Sequence, residues 1–247
     1  MSTQILTHFE KVCEFNKAFD YNVYNIHNGN PLEIYPKDAQ YRYDLIYEEG
    51  IVELGRAIRM NDIKEIKDAL GDLLYVLYGA CYTYNFNPDL FLPFMKCDNI
   101  VQYSYIEYEI EQLKKCLIDY KNIISTYSAL LKVIMYTYNF ADNMINNIGS
   151  IDSIFNIIHS SNMSKLCKTE QEAIITVDLY INKYEIHCNN YINTCNKYGK
   201  DSSEALAVYS PYDSPYYYKS GEYWLVKNKS TGKALKSINY TPVLFTI

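Results

Sequence analysis

Tryptophan occurs once in this chain of 247 residues, and a basic surplus and long apolar runs are missing altogether. Lys and Arg number 23 against 29 Asp and Glu, a formal net charge of −6. Without a cationic excess to neutralise phosphates, general nucleic-acid binding and adhesion to an anionic membrane are not expected. No apolar stretch reaches 18 residues, and the opening MSTQILTHFEKVCEF has no charged region followed by an apolar run, so neither a membrane span nor a signal peptide is expected. The seven cysteines are odd in number, scattered, and never form C-x-x-C. They read as small apolar thiols in a reduced, intracellular protein. In that compartment the N-x-S/T matches at Asn228 and Asn239 are chance.

Several nucleotide and nucleophile signatures are absent too. There is no G-x-x-x-x-G-K-[ST] or G-x-G-x-x-G, which argues against P-loop and Rossmann binding, and no G-x-S-x-G to support a serine nucleophile. His8, His27, His159 and His187 share no helical spacing, and His187, Cys188 and Cys195 lack a fourth ligand for zinc.

What is abundant is apolar and aromatic: 49% hydrophobic residues, with 28 tyrosines. That is ample for a core and excludes disorder over most of the chain. The excess of Tyr, Asn, Ile and Lys fits an A/T-rich genome such as that of a large DNA virus or a protist.

Helical periodicity runs through residues 8–20, 41–59, 63–84, 103–120, 123–140, 151–158 and 169–197. A loop is expected over Asn25–Lys37, a break at Asn61-Asp62 with Asp62 as N-cap, and another break at HSSNMSK. After Gly199 the chain turns Tyr- and Pro-rich, and the YWLVKNKSTGKALKS run reads as two short β-prone runs with a turn between them. The prediction is an all-α bundle with an irregular C-terminal tail that includes a short β-hairpin. YTYNF recurs at 82–86 and 136–140, each time ending an apolar helix with a Leu-Leu pair (Leu73-Leu74, Leu130-Leu131), which points to internal duplication. The expected organisation is a helical half over 1–97, a second, degenerate half over 98–200, and a tail over 201–247.

Chemistry concentrates in carboxylates on two consecutive helices. Glu49 and Glu53 are four apart, as are Asp68 and Asp72, so each pair stacks on one helix face, with Glu48 and Glu65 flanking. Antiparallel helices would bring the pairs together as hard oxygen ligands suited to Mg²⁺ or Mn²⁺. Asp72 begins a strongly apolar run, where a carboxylate is costly without a partner.

LIYEEGIVELGRAI followed by NDIKEIKDALGDLLYVLYGA resembles the all-α nucleoside triphosphate pyrophosphohydrolases, the MazG, phosphoribosyl-ATP pyrophosphohydrolase and dimeric dUTPase-like group. Their motif is E-E-x-x-E on one helix and E-x-x-D on the next. VCEFNKAF at 12–19, HSSNMSKL at 159–166 and GKALKSINYTPVL at 232–244 fall in the matching order. The resemblance implies a MazG-like bundle in which the second half plays the partner subunit of a pseudo-dimer, able to pair again as a homodimer.

It further implies Mg²⁺ held by Glu49, Glu53, Asp68 and Asp72, with Glu48 or Glu49 orienting or deprotonating a water that attacks the α-phosphorus of a (d)NTP. Asn162, Lys165, Lys233 and Lys236 are the candidate contacts to the triphosphate. Two departures stand out: Gly50 replaces the middle glutamate, and Ala69 replaces the glutamate of E-x-x-D, with Asp68 beside it. In the second copy the counterparts of Asp68 and Asp72 are Ser125 and Ala129, or Asn122 and Thr126, depending on the alignment. The alternative to an enzyme is a nucleotide-binding or scaffold protein whose catalysis lapsed through those departures. Tyr75, Tyr78 and Tyr82 are candidates for stacking on a base.

Overall fold

Asp62 marks the start of the helix that organises the protein. Its Oδ1 accepts from the backbone N–H groups of Lys64 and Glu65, and Asn61 before it takes the left-handed conformation, φ 52°, that ends the preceding helix. The same device recurs later: Lys121 has φ 49°, and Asn122 caps the next long helix by accepting from Ser125 N–H.

The computed structural model describes residues 6–95, 100–198 and 212–245. Helices run in the order α1 (His8–Ala18), α2 (Pro31–Ile34), α3 (Pro36–Tyr47), α4 (Leu54–Met60), α5 (Ile63–Thr83), α6 (Tyr103–Lys114), α7 (Ile123–Asn143), α8 (Ile145–Ile148), α9 (Ile151–Met163) and α10 (Glu170–Tyr198). A hairpin of β1 (Pro215–Ser220) and β2 (Tyr223–Asn228) follows. Wide π turns occupy Glu48–Glu53, between α3 and α4, and Lys115–Asp119, after α6. The fold is therefore all-α with a two-stranded appendage.

Two compact units emerge. The first is Met1–Lys17, Tyr21–Ser160 and Val243–Ile247; the second is Ala18–Asp20 with Ser161–Pro242. The boundaries expected at 97/98 and 200/201 fall outside the described residues.

In the first unit α5 is the central element, buried along most of its length by Leu70, Leu73, Leu74, Leu77 and Tyr78. α3, α4 and α7 pack on it, and α6 packs on α7. Both α5 and α7 have 21 residues. A constant step of 60 residues, the separation of Tyr78 from Tyr138, superposes their caps and their buried positions: Asp62 on Asn122, Ala69 on Ala129, Leu70 on Leu130, Leu73 on Val133 and Leu74 on Ile134. The step extends backwards, placing Ile46 on Ile106 and Gly50 on Ile110.

The duplication thus has a different register from either of those drawn from Leu-Leu or YTYNF. The counterparts of Asp68 and Asp72 are Ser128 and Lys132. Two equivalent pairs touch: the Tyr78 and Tyr138 hydroxyls lie 2.8 Å apart, and Ile110 packs directly on Gly50. Equivalent residues meet only on a two-fold axis, so a pseudo-dyad runs through both contacts.

In the second unit Cys167, Ala173, Val226 and Leu235 form a small core between α10 and the hairpin, flanked by Tyr180, Tyr217 and Trp224. The hairpin turn is Gly221-Glu222, with Gly221 at φ 58°, the left-handed region that a tight two-residue turn needs at its first position. The hairpin expected within YWLVKNKSTGKALKS thus has its turn before that run, and YWLVKN supplies its second strand. A second tight turn, between Asn228 and Gly232, pairs Lys227 with Ala234 as an isolated bridge. Asn228 is fully buried, and its amide bonds to Ser230, Thr231 and the Ser214 N–H, so it is a structural pin and not a glycan acceptor.

Other differences are local. The Asn25–Lys37 segment is not simply a loop, because Asn25 and Asn30 cap short helical turns. HSSNM continues α9, and the break comes after Met163.

Candidate active site

The π turn delivers the first carboxylates. Its extra residue brings Gly50 so close to its neighbours that an ideal Cβ there would lie 2.4 Å from Ile110 Cδ1 and 3.1 Å from Leu73 Cδ1. The Gly50 carbonyl accepts from the Tyr103 hydroxyl at 2.9 Å, which holds the turn from the α6 side. π turns are rare and recur at functional sites. Here one spans the whole first acidic motif, from Glu48 to Glu53.

Across from it stands the polar edge of α5. Glu49, Glu53, Asp68 and Asp72 are all half-buried, while Glu48 and Glu65 are exposed. Ala69, where the superfamily motif has glutamate, is 2% exposed and part of the core, so a long carboxylate has no room there. The departure at each of the two motif positions thus has a packing cause.

The electrostatics tie these side chains together. Burial, then the charges of Asp72, Glu53, Asp68 and Glu48, push Glu49 up to about 8. Burial, then Glu65 and Glu53, raise Asp68, with Lys64 opposing. Glu49 Oε2 and Asp68 Oδ1 are buried with no hydrogen-bond partner. Such oxygens are costly unless something cationic meets them. Hard, crowded and orphaned carboxylate oxygens fit Mg²⁺ or Mn²⁺. Among the described residues no three His, Cys, Asp or Glu side chains converge tightly enough to grip an ion. Repulsion opposes closer approach of facing carboxylates unless a cation stands between them.

The polar candidates of the second unit also find their places. Lys165 Nζ donates to Asn162 Oδ1 at 2.6 Å, and Lys236 Nζ lies 4.1 Å from the Tyr240 ring centroid. Burial pushes the Tyr240 hydroxyl up, but hydrogen bonds from Ser161 and Lys236 and the charges of Lys236 and Lys165 outweigh it and bring it down. Asn162, Lys165 and Lys236 are thus linked, whereas Lys233 sits over Tyr212. Tyr75, Tyr78 and Tyr82 are buried in the core of the first unit, so stacking on a base is not their role in this conformation.

One polar group that sequence reasoning passed over is His8, bonded through Nδ1 to the Tyr138 hydroxyl at 2.5 Å and through Nε2 to Asp152 at 3.2 Å. It lines a cavity of about 470 Å³ with Lys11, Asp89 and Asn156. No spacing signal could reveal it, since its partners come from α7 and α9.

Residues 12–92, which contain all four half-buried carboxylates, match the phosphoribosyl-ATP pyrophosphohydrolase family. Over 198 residues the chain is 31% identical to the uncharacterized protein L479 of Acanthamoeba polyphaga mimivirus, covering 70% of this chain and 77% of that protein. The chain belongs to the all-α nucleoside triphosphate pyrophosphohydrolase superfamily. Membership supports a nucleotide pyrophosphohydrolase-like function in general, within a superfamily whose members generally use divalent metals. The family match stops before the second repeat, where only one of the four carboxylates survives. No solved structure is significantly similar to this chain. Among the described residues no helix is long and apolar enough to cross a membrane.

Proposed function

We propose that the protein is a Mg²⁺-dependent pyrophosphohydrolase that cleaves a (d)NTP to its monophosphate and pyrophosphate. The observation that carries this reading is the pair of buried, unpartnered oxygens, Glu49 Oε2 on the π turn and Asp68 Oδ1 on α5. Glu49, Glu53, Asp68 and Asp72 are the residues to hold the ion. When bound, it would neutralise the charge of the triphosphate and lower the pKa of a coordinated water.

The chain's own part is positioning and proton handling. A carboxylate that holds a cation is ionised, so the ion would bring Glu49 down from its raised metal-free value, and Glu49 would then orient or deprotonate the water attacking the α-phosphorus. Glu48 is exposed, and its charge acts through the field that raises Glu49. Lys165 and Lys236, with Asn162, are proposed contacts for the polyphosphate.

Pyrophosphate release from a panel of dNTPs and NTPs with Mg²⁺ tests the reading. One substrate should be turned over, with the rate lost in Asp72→Asn and Glu53→Gln. Turnover that survives both substitutions would exclude this site. Tight Mg²⁺–nucleotide binding without turnover would instead favour the nucleotide-binding alternative.

A further inference from the structure

The 60-residue step maps the four carboxylates of the first repeat onto Glu109, Leu113, Ser128 and Lys132 of the second. Three changed and one stayed. The retained Glu109 side chain is 7% exposed, a burial in which a carboxylate persists only with a compensating charge. That charge is Lys132: its ammonium stands 3.6 Å from Glu109 Oε1, at the position equivalent to Asp72. Glu109 Oε2 is buried with no hydrogen-bond partner, as is Glu49 Oε2 in the first repeat. The equivalent of Glu53 is Leu113, fully buried and apolar, and the equivalent of Asp68 is the exposed Ser128.

From this juxtaposition we infer that the second repeat contains a converted metal site, in which the ammonium of Lys132 permanently takes the place of the divalent cation. The Lys132 side chain is about half exposed, so it reaches the buried Glu109 from the surface and neutralises it without itself being fully desolvated. A tethered cation needs no uptake from solution and brings no reactive water. The chain therefore keeps one metal-dependent centre and one metal-independent electrostatic lock, related by the pseudo-dyad. The comparison with the first repeat rests on the proposed metal reading of Glu49, Glu53, Asp68 and Asp72; the role of Lys132 as the partner of a buried carboxylate does not.

Unfolding midpoints of the full chain test it in two arms. In EDTA, Lys132→Met should lower the midpoint by several degrees, and adding Glu109→Gln should restore most of the loss, because no buried charge is then left unpaired. In an Asp72→Asn background, Lys132→Asp should confer a rise in midpoint on adding millimolar Mn²⁺, which Lys132→Met should not. A neutral Lys132→Met, or a double variant no more stable than the single one, overturns the proposal. So does a folded Lys132→Asp variant that is indifferent to Mn²⁺. If Lys132→Asp does not fold, the EDTA arm still decides. Failure of the functional reading would look different: the wild-type midpoint itself would not move with Mn²⁺.

Discussion

Gly50 illustrates what a single residue can and cannot reveal. The sequence shows a missing glutamate there, and only the contact with Ile110, on the equivalent helix, explains why. Gly50→Ala should cost about 1–3 kcal/mol by overpacking, and Ile110→Val in the same chain should recover part of it; denaturant unfolding measures both. Glu49 makes a second residue-scale prediction. Burial and the neighbouring carboxylates push its carboxyl up to about 8 in the metal-free folded protein, against about 4.5 in an unfolded chain, so the folded state binds the proton more tightly. The stability it contributes is present below pH 4.5 and lost as pH rises towards 8. In EDTA the midpoint should fall across that window, and Glu49→Gln should flatten the fall. The i, i+4 spacing made Glu49, Glu53, Asp68 and Asp72 legible as candidates. Their half-burial, against the exposure of Glu48 and Glu65, was not legible, because it depends on which turn of each helix meets the other.

At the scale of elements, the helices and their caps were the readable part. Asp62 was identifiable as an N-cap because a short acceptor just before an apolar-periodic run satisfies backbone donors that nothing else can reach. Asp62→Ala should cost about 1 kcal/mol, seen as a shift in the denaturant midpoint without a change in slope. The π turn at Glu48–Glu53 was hidden, since its wider hydrogen bonding is held by Tyr103 and by close packing from α5 and α6, all distant in sequence. The hairpin was expected in the right region with the wrong turn. SGEY and NKSTGK both carry glycine, and only the pairing of the Tyr-rich strand with YWLVKN distinguishes them.

For the whole molecule, the repeated pentapeptide points to duplication but not to its register, because such strings are easily matched by chance in a tyrosine-rich chain. The true register lies in the burial pattern of α5 and α7, where Leu70 answers Leu130 and Tyr78 answers Tyr138. The core also carries a pH liability. Burial, the largest cause, lowers both His8 and His159 to about 4; Lys11 opposes the charged form of each, while Asp152 favours that of His8. Both rings are therefore neutral when folded, and stability present above about pH 6.5 should drain away as pH falls towards 4. His8→Gln should soften that acid transition in a pH titration followed by circular dichroism.

The Gly50–Ile110 contact has a genetic meaning. In a homodimer with a true two-fold axis, whatever residue lies on the axis faces its own copy: two glycines leave a void, and two isoleucines collide. An unlike pair requires that the two halves be encoded separately, as they are in this chain. Fusion thus opened combinations that no symmetric ancestor could encode. Splitting the chain between α5 and α6 should yield halves that pair with each other in preference to themselves, which co-expression and size-exclusion chromatography would show.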